Sequence, residues 1–173
     1  MGAVLAFAAL VALRFWQVSA DPPSEKVEQD YYQVEHVTDG DTLVLAGGTR
    51  VRLIGVDTPE TRFSPRSDGN DQPHAREALL FTKRAVEGRQ VRLQFDIERA
   101  DKYGRLLAYV WYIDGESNEE RLLNDELIRA GLAETLLKFP YSESMKRRFR
   151  ASQSAAKSSK RGIWSSDLTR RDE

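Results

Sequence analysis

From Tyr31 onward the chain carries short runs of branched and aromatic residues broken by turn pairs. YYQVEHV, TLVLA and TRVRLIGV read as three strands. In the last of these Val51, Leu53, Ile54 and Val56 are apolar while Arg50 and Arg52 alternate with them. Asp39-Gly40 and Gly47-Gly48 lie between the runs as sharp turn signals, so the three strands are expected to form a meander. A helix is predicted over 73–87, with Pro73 suited to its first turn, Leu79, Thr82 and Val86 on one face and Gly88 as the stop. QVRLQFDIE and LLAYVWYI then predict two more strands, the second ending at Asp114-Gly115. Ser117 followed three residues later by Glu120 has the form of a capping box. It announces a second helix that turns Leu123, Leu127 and Ala130 inward and ends at Gly131. A third helix begins near Ser142 after Pro140, places Met145, Phe149 and Ser152 on one side, and stops at Gly162. The order predicts an α+β, mainly β, chain: a five-stranded Greek-key barrel of the OB type with three helices.

Upstream of this domain the composition changes. MGAVLAFAALVAL has the length of a signal-peptide core, and Val18 and Ala20 suit a small-residue cleavage site, although no Lys or Arg precedes the run. Residues 1–20 are therefore expected to be an export leader, or, if retained, a membrane anchor in which Arg14 snorkels. A buried helix of the main domain is the third reading. Residues 21–30 are charged and contain Pro22 and Pro23, as a linker would; 31–165 form the folded domain and 166–173 a polar tail. A secreted, periplasmic or membrane-anchored protein with an external domain follows.

Length and charge narrow the classes. With 173 residues there is room for one domain with a real core, and a formal net charge of -1 gives no global attraction to polyanions. Any such attraction must be local. The absence of cysteine excludes disulfides, thiolate metal sites and a thiol nucleophile. Imidazole chemistry would rest on His36, in an expected strand, and His74, at a helix start; both read more simply as polar surface residues. Between Lys146 and Arg161 there are seven basic residues and no acid, either a solvated face or a track for a phosphate backbone.

Three polar stretches carry the candidate chemistry: Asp39-Gly40-Asp41-Thr42, Arg52 with Asp57-Thr58-Pro59-Glu60, and Asp101-Lys102-Tyr103-Gly104-Arg105. Each alone could be an ordinary turn or loop. Together they offer oxygen ligands for a hard cation, a further carboxylate and two guanidinium groups, a set that suits phosphoryl chemistry. Oxygen-only donors favour Ca²⁺ or Mg²⁺ over zinc or copper. Pro59 keeps Thr58 out of helical geometry, so the acids leave the strand on a fixed, extended exit.

The set DGDT, RLIGVDTPET and DKYGR, followed by a leucine-rich helix and a terminal GIW, resembles the staphylococcal nuclease (thermonuclease) family over about residues 34–164. The resemblance implies an OB-fold, Ca²⁺-dependent phosphodiesterase that hydrolyses DNA and RNA at the P–O5′ bond and leaves 3′-phosphate ends. It makes Asp41 and Asp57 the Ca²⁺ ligands, with the Thr58 carbonyl. Glu60 falls at the carboxylate that orients or deprotonates the attacking water and addresses the metal mainly through water. Arg52 and Arg105 fall at the arginines that hold the scissile phosphate. Lys102 and Tyr103 agree with nucleotide-contacting positions, while Leu137 and Phe139 stand where the family has two tyrosines near the base. Single strands are the expected substrate and a monomer the expected state. Arg62, Arg66 and the turn residues of 63–72 read as a loop beside the site. The rival readings are an OB barrel that binds nucleic acid or protein without cleaving, and an interaction domain held in a membrane complex.

Overall fold

The computed structural model describes residues 31–63 and 67–165; the expected leader, linker and polar tail, and residues 64–66 with Arg66, lie outside the described residues. β1 (Tyr31–Asp39), β2 (Thr42–Leu45) and β3 (Arg50–Leu53) form the antiparallel meander. β4 (Val56–Asp57) follows a turn at Ile54-Gly55. β5 (Gln90–Gln94) pairs antiparallel with β1 and with β6 (Leu106–Ile113), and β6 runs parallel to β3. This last pairing closes the five-stranded barrel in the order β3-β2-β1-β5-β6, the OB-type architecture expected. Val34 and Val37 both face the core although they are three positions apart. An irregularity in the β1–β2 register between Val34 and His36 resets the alternation.

Three helices cover the barrel: α1 (Ala75–Val86), α2 (Leu123–Arg129) and α3 (Glu143–Ser158), the last followed by a 3-10 turn at Gly162–Trp164. α1 buries Ala75, Ala78, Thr82 and Val86, so Leu79 lies at the margin of the inward face rather than at its centre. α3 buries Phe149, Ser152 and Ala156 and carries Met145 against the core edge, close to the expected face. None of the described helices is long and apolar enough to cross a membrane.

Two expectations fail, for identifiable reasons. Ser117 and Glu120 do not cap a helix: β7 (Glu120–Leu122) pairs with β6, and α2 begins only at Leu123. Glu120 instead grips Arg92 of β5 through two 2.8 Å hydrogen bonds, while Asp114 accepts from the Glu116 and Ser117 N–H groups. Cross-strand pairing and an Asx turn outcompete the local cap. The strand expected over QVRLQFDIE stops at Gln94. Just beyond it, Asp96 accepts from the Tyr109 hydroxyl at 2.6 Å and the Ser142 N–H at 2.9 Å. Burial would push this carboxyl up, but those hydrogen bonds and one from the Ile97 N–H hold it below the ordinary range. The chain thereby leaves the sheet to pin the entry of α3.

What the fold does for the site is concentrated at the end of β3. Gly55 has φ +72°, and a Cβ there would lie 2.9 Å from both the Phe149 and Tyr141 rings. The bend frees backbone groups, which are satisfied across the core: Ile54 N–H bonds Ala108 O, and Asn124 Nδ2 donates to Ile54 O at 2.9 Å. Asn124 Oδ1 accepts from Val110 N–H at 3.0 Å, tying α2 to β6 at the same point. After the bend, β4 pairs with β8 (Glu134–Thr135), a two-residue strand no hydrophobic period announces. Gly55→Ala is expected to lower stability by roughly 3 kcal/mol, from a left-handed backbone combined with ring overlap, read as a reduced urea midpoint with an unchanged m-value.

Candidate active site

Three chain segments deliver the charged side chains. The β1–β2 turn carries Asp39 and Asp41, β3 carries Arg52, and the exit from β4 carries Asp57, Thr58 and Glu60. The turn can approach the exit because residue 40 is glycine: a Cβ there would sit 2.8 Å from Thr58 Oγ1 and 2.9 Å from the Ala78 methyl. Thr82 of α1 clamps the same turn by donating to Gly40 O at 2.6 Å. Asp41, 1% exposed, accepts from Thr42 Oγ1 at 3.0 Å and from the Thr58 N–H at 3.1 Å.

Arg52 lies between the two aspartates. Its Nη2 donates to Asp57 Oδ1 at 3.0 Å, and its Nη1 lies 2.5 Å from Asp41 Oδ2. The second contact lacks hydrogen-bond alignment, and Nη1 and Thr58 Oγ1 are buried polar atoms with no hydrogen-bond partner among the described residues. Such atoms are uncommon in interiors and mark a place where a further ligand or water belongs.

Glu60 is buried beside them, and its backbone is fixed by Gln72, which takes the Glu60 N–H on its Oε1 at 2.9 Å and returns its own N–H to Glu60 O at 3.0 Å. The Glu60 carboxyl meets that of Asp39. Burial, with the Glu60 hydrogen bond and the nearby Asp41 and Glu60 charges adding to it, raises Asp39 to about 7 against the pull of the Gly40 N–H. Asp39 therefore holds its proton to a higher pH than an ordinary aspartate does. Asp39 belongs to a stretch that the sequence singles out, but no role of its own falls to it there. Its burial is set by α1 and the exit of β4, which local sequence does not display.

A cleft of about 740 Å³ opens from Arg52 and Asp57, and Arg105, Lys102, Tyr103 and Phe139 line it. Tyr103 is 72% exposed and Phe139 49%, with Lys102 and Lys138 ammonium groups 5.0 and 5.4 Å from their ring centres. Leu136 lines the cleft and Leu137 does not. Arg105 reaches this cleft held by Asp101: Nε and Nη2 each lie 2.7 Å from Asp101 Oδ2. Partial burial would raise Asp101, yet hydrogen bonds from the Arg105 backbone and guanidinium and from the Tyr103 N–H keep it low. Arg105 is therefore a permanently charged group at the cleft wall with one ion-pair partner to exchange. His36 and His74 stand apart from the cleft lining; His74 Nδ1 pairs with Glu77 at 2.8 Å.

The donor set fits a hard divalent cation. Among the described residues no three His, Asp or Glu side chains converge as a ready cage. However, Asp41 and Asp57 flank the Arg52 guanidinium, and the Asp39 and Glu60 carboxyls touch each other close to Asp41, so carboxyl groups outnumber the one guanidinium. Carboxylates, a carbonyl and room for water suit Ca²⁺, which tolerates irregular oxygen shells better than Mg²⁺ does.

Comparison with known proteins identifies the family. The family model described as staphylococcal nuclease homologue matches residues 50–166. The chain is 36% identical to the thermonuclease of Staphylococcus intermedius over 170 residues, covering 94% of this chain and 95% of that protein. It is 33% identical to the thermonuclease of Staphylococcus hyicus over 172 residues, 95% and 96% of the two chains. Endonuclease YncB of Bacillus subtilis (strain 168) is 37% identical over 154 residues, 84% of this chain and 68% of that protein. A closed OB-type barrel, one buried arginine between two aspartates at a cleft, and these matches together place the chain in the staphylococcal nuclease family.

Proposed function

We propose that this nuclease is a Ca²⁺-dependent phosphodiesterase that hydrolyses single-stranded DNA and RNA at the P–O5′ bond, leaving 3′-phosphate and 5′-hydroxyl ends. The observation that carries the reading is Arg52, buried in contact with Asp41 and Asp57 where a cleft begins whose wall holds a second guanidinium, Arg105. Asp41, Asp57 and the Thr58 carbonyl would hold Ca²⁺, which when bound supplies positive charge against the phosphate. Arg52 and Arg105 donate to the phosphate oxygens and oppose the charge that grows as water attacks phosphorus. Glu60 orients that water and takes its proton, and the adjoining Asp39 carboxyl gives the proton a second oxygen to occupy. The oxygen of water bonds to phosphorus, the P–O5′ bond breaks, and the departing 5′ oxygen is protonated.

Lys102, Tyr103 and Phe139 bind the strand beside the scissile bond; exposed aromatic faces next to ammonium groups suit stacked bases and their phosphates without sequence preference. A monomer acting outside the cytoplasm, exported or tethered through residues 2–20, completes the reading.

Purified chain incubated with single-stranded DNA in Ca²⁺, in Mg²⁺ and in chelator is expected to cleave only in Ca²⁺, giving products that require phosphatase before their 3′ ends can be extended. Tight binding without cleavage under every metal would replace the hydrolase reading by a binding module. Glu60→Gln is expected to lower kcat by about a hundredfold or more while oligonucleotide affinity in chelator stays unchanged; undiminished turnover would remove Glu60 from the mechanism. Arg105→Lys is expected to lose roughly 3 kcal/mol of transition-state stabilisation, about a hundredfold in kcat, because a single ammonium cannot reproduce the two-point fork.

A further inference from the structure

α3 separates charge in a way that packing does not require. Seven of the chain's 26 basic residues and none of its 27 acidic ones fall between Lys146 and Arg161. Some of these are used internally. Arg148 leans to one flank, where its Nε lies 3.0 Å from Asp125 of α2, and Lys146 reaches back 2.9 Å to Glu143.

Lys160 and Arg161 lie past the end of α3, and the other three form a stripe with Ser154. Arg147, Arg150, Ser154 and Lys157 recur at i, i+3, i+7 and i+10, which places them along one side of the helix, and all four are exposed. Neither Arg147 nor Arg150 has an ion-pair partner within 4.0 Å among the described residues, and Lys157 lies 4.2 Å from the Trp164 ring centre. Like charges three and four positions apart destabilise a helix, and a merely soluble face would interleave acids. The opposite face already has its apolar partners, since Phe149 and Ala156 are buried in the domain.

We propose that the Arg147-Arg150-Lys157 face of α3 is a second nucleic-acid site, which binds backbone phosphates of the substrate strand outside the catalytic cleft. The proposal rests on the nuclease reading for its ligand and extends that reading to residues outside the cleft lining. Continuity favours a polynucleotide: Pro140 lines the cleft, and α3 starts three residues later at Glu143. The stripe from Arg147 to Lys157 rises about 15 Å, room for four or five phosphates at the ~3.4 Å rise of a stacked strand. A lipid surface fits less well, because the exposed side of α3 offers charges, serines and alanines but no large apolar residue to enter a bilayer interface. Binding would be sequence-independent and would favour long strands over short ones.

The test measures binding of the full chain to four-nucleotide and twenty-nucleotide oligothymidylate in chelator across a salt series, for the parent and for the triple variant Arg147→Gln, Arg150→Gln, Lys157→Gln. Glutamine keeps helix propensity, and circular dichroism checks the fold. The parent should show a steeper log Kd against log salt slope for the long strand. The triple variant should lose about two units of that slope and roughly tenfold in affinity for it, with the short strand unaffected. Arg147→Lys with Arg150→Lys should retain the long-strand affinity, since backbone attraction needs charge rather than the fork. Equal slopes for both lengths in the parent, or an unchanged slope in the triple variant, would overturn the proposal. So would loss of binding to phosphatidylglycerol vesicles with oligonucleotide binding intact, which would assign the face to lipid. A parent that shows the length effect and cleaves nothing in any metal would overturn the nuclease reading alone.

Discussion

One buried guanidinium stands among more carboxylates than it can neutralise, and the active end of the barrel is organised around that imbalance. Arg52 is 6% exposed and touches Asp41 and Asp57, while Asp39 and Glu60 are buried close by. Taking these groups from water is costly unless each charge finds a partner. The structure meets that cost in part, through backbone N–H groups to Asp41 and Asp39, and through the raised proton affinity of the Asp39 carboxyl. What is left over is negative and lies beside an open cleft. A site balanced by its own residues would have little electrostatic reason to attract a cation; this one keeps carboxylates in excess.

The scaffold holds that imbalance in place with contacts that tolerate little displacement. Gly40 lets the β1–β2 turn press against Thr58, Thr82 clamps the turn from α1, and Gly55 turns the chain under the Tyr141 and Phe149 rings. Asn124 then satisfies the backbone that the bend exposes. A second buried carboxylate, Asp125, binds Ser152, Arg148 and Arg129, and so fastens α2 to α3 and supports the bend from behind. Arg52 thus stands on a barrel strand and Asp57 on the short strand after the bend, whereas Tyr103 and Phe139 are exposed at the cleft.

Charge is distributed to the same end. A chain with a formal net charge of -1 has no overall attraction for nucleic acid, so any attraction depends on where its cations stand. Arg52 and Arg105 are placed by ion pairs with aspartates, Lys102 and Lys138 by aromatic rings, and the α3 stripe by helical period.

Alternation of branched and polar residues, with Asp39-Gly40 and Gly47-Gly48 between the runs, was sufficient to find the barrel strands, because each strand has a buried face that writes a period into the sequence. Of the polar residues in the spaced groups DGDT, RLIGVDTPET and DKYGR, Arg52, Asp57, Lys102, Tyr103 and Arg105 line the cleft, while Asp41, Thr58 and Glu60 are buried outside its lining. Tertiary contacts decided the remainder. Ser117 and Glu120 carry a helix-start pattern, yet Glu120 joins a strand because Arg92 waits across the sheet. β4 and β8 are two residues each and leave no period to read. Asp39 looks like any hairpin aspartate, and only the approach of α1 and Glu60 buries it and raises its affinity for a proton. Sequence alone determined which groups were available, because periodicity and turn chemistry are local. Which of them were desolvated together was decided by the fold, because burial depends on segments distant in the chain.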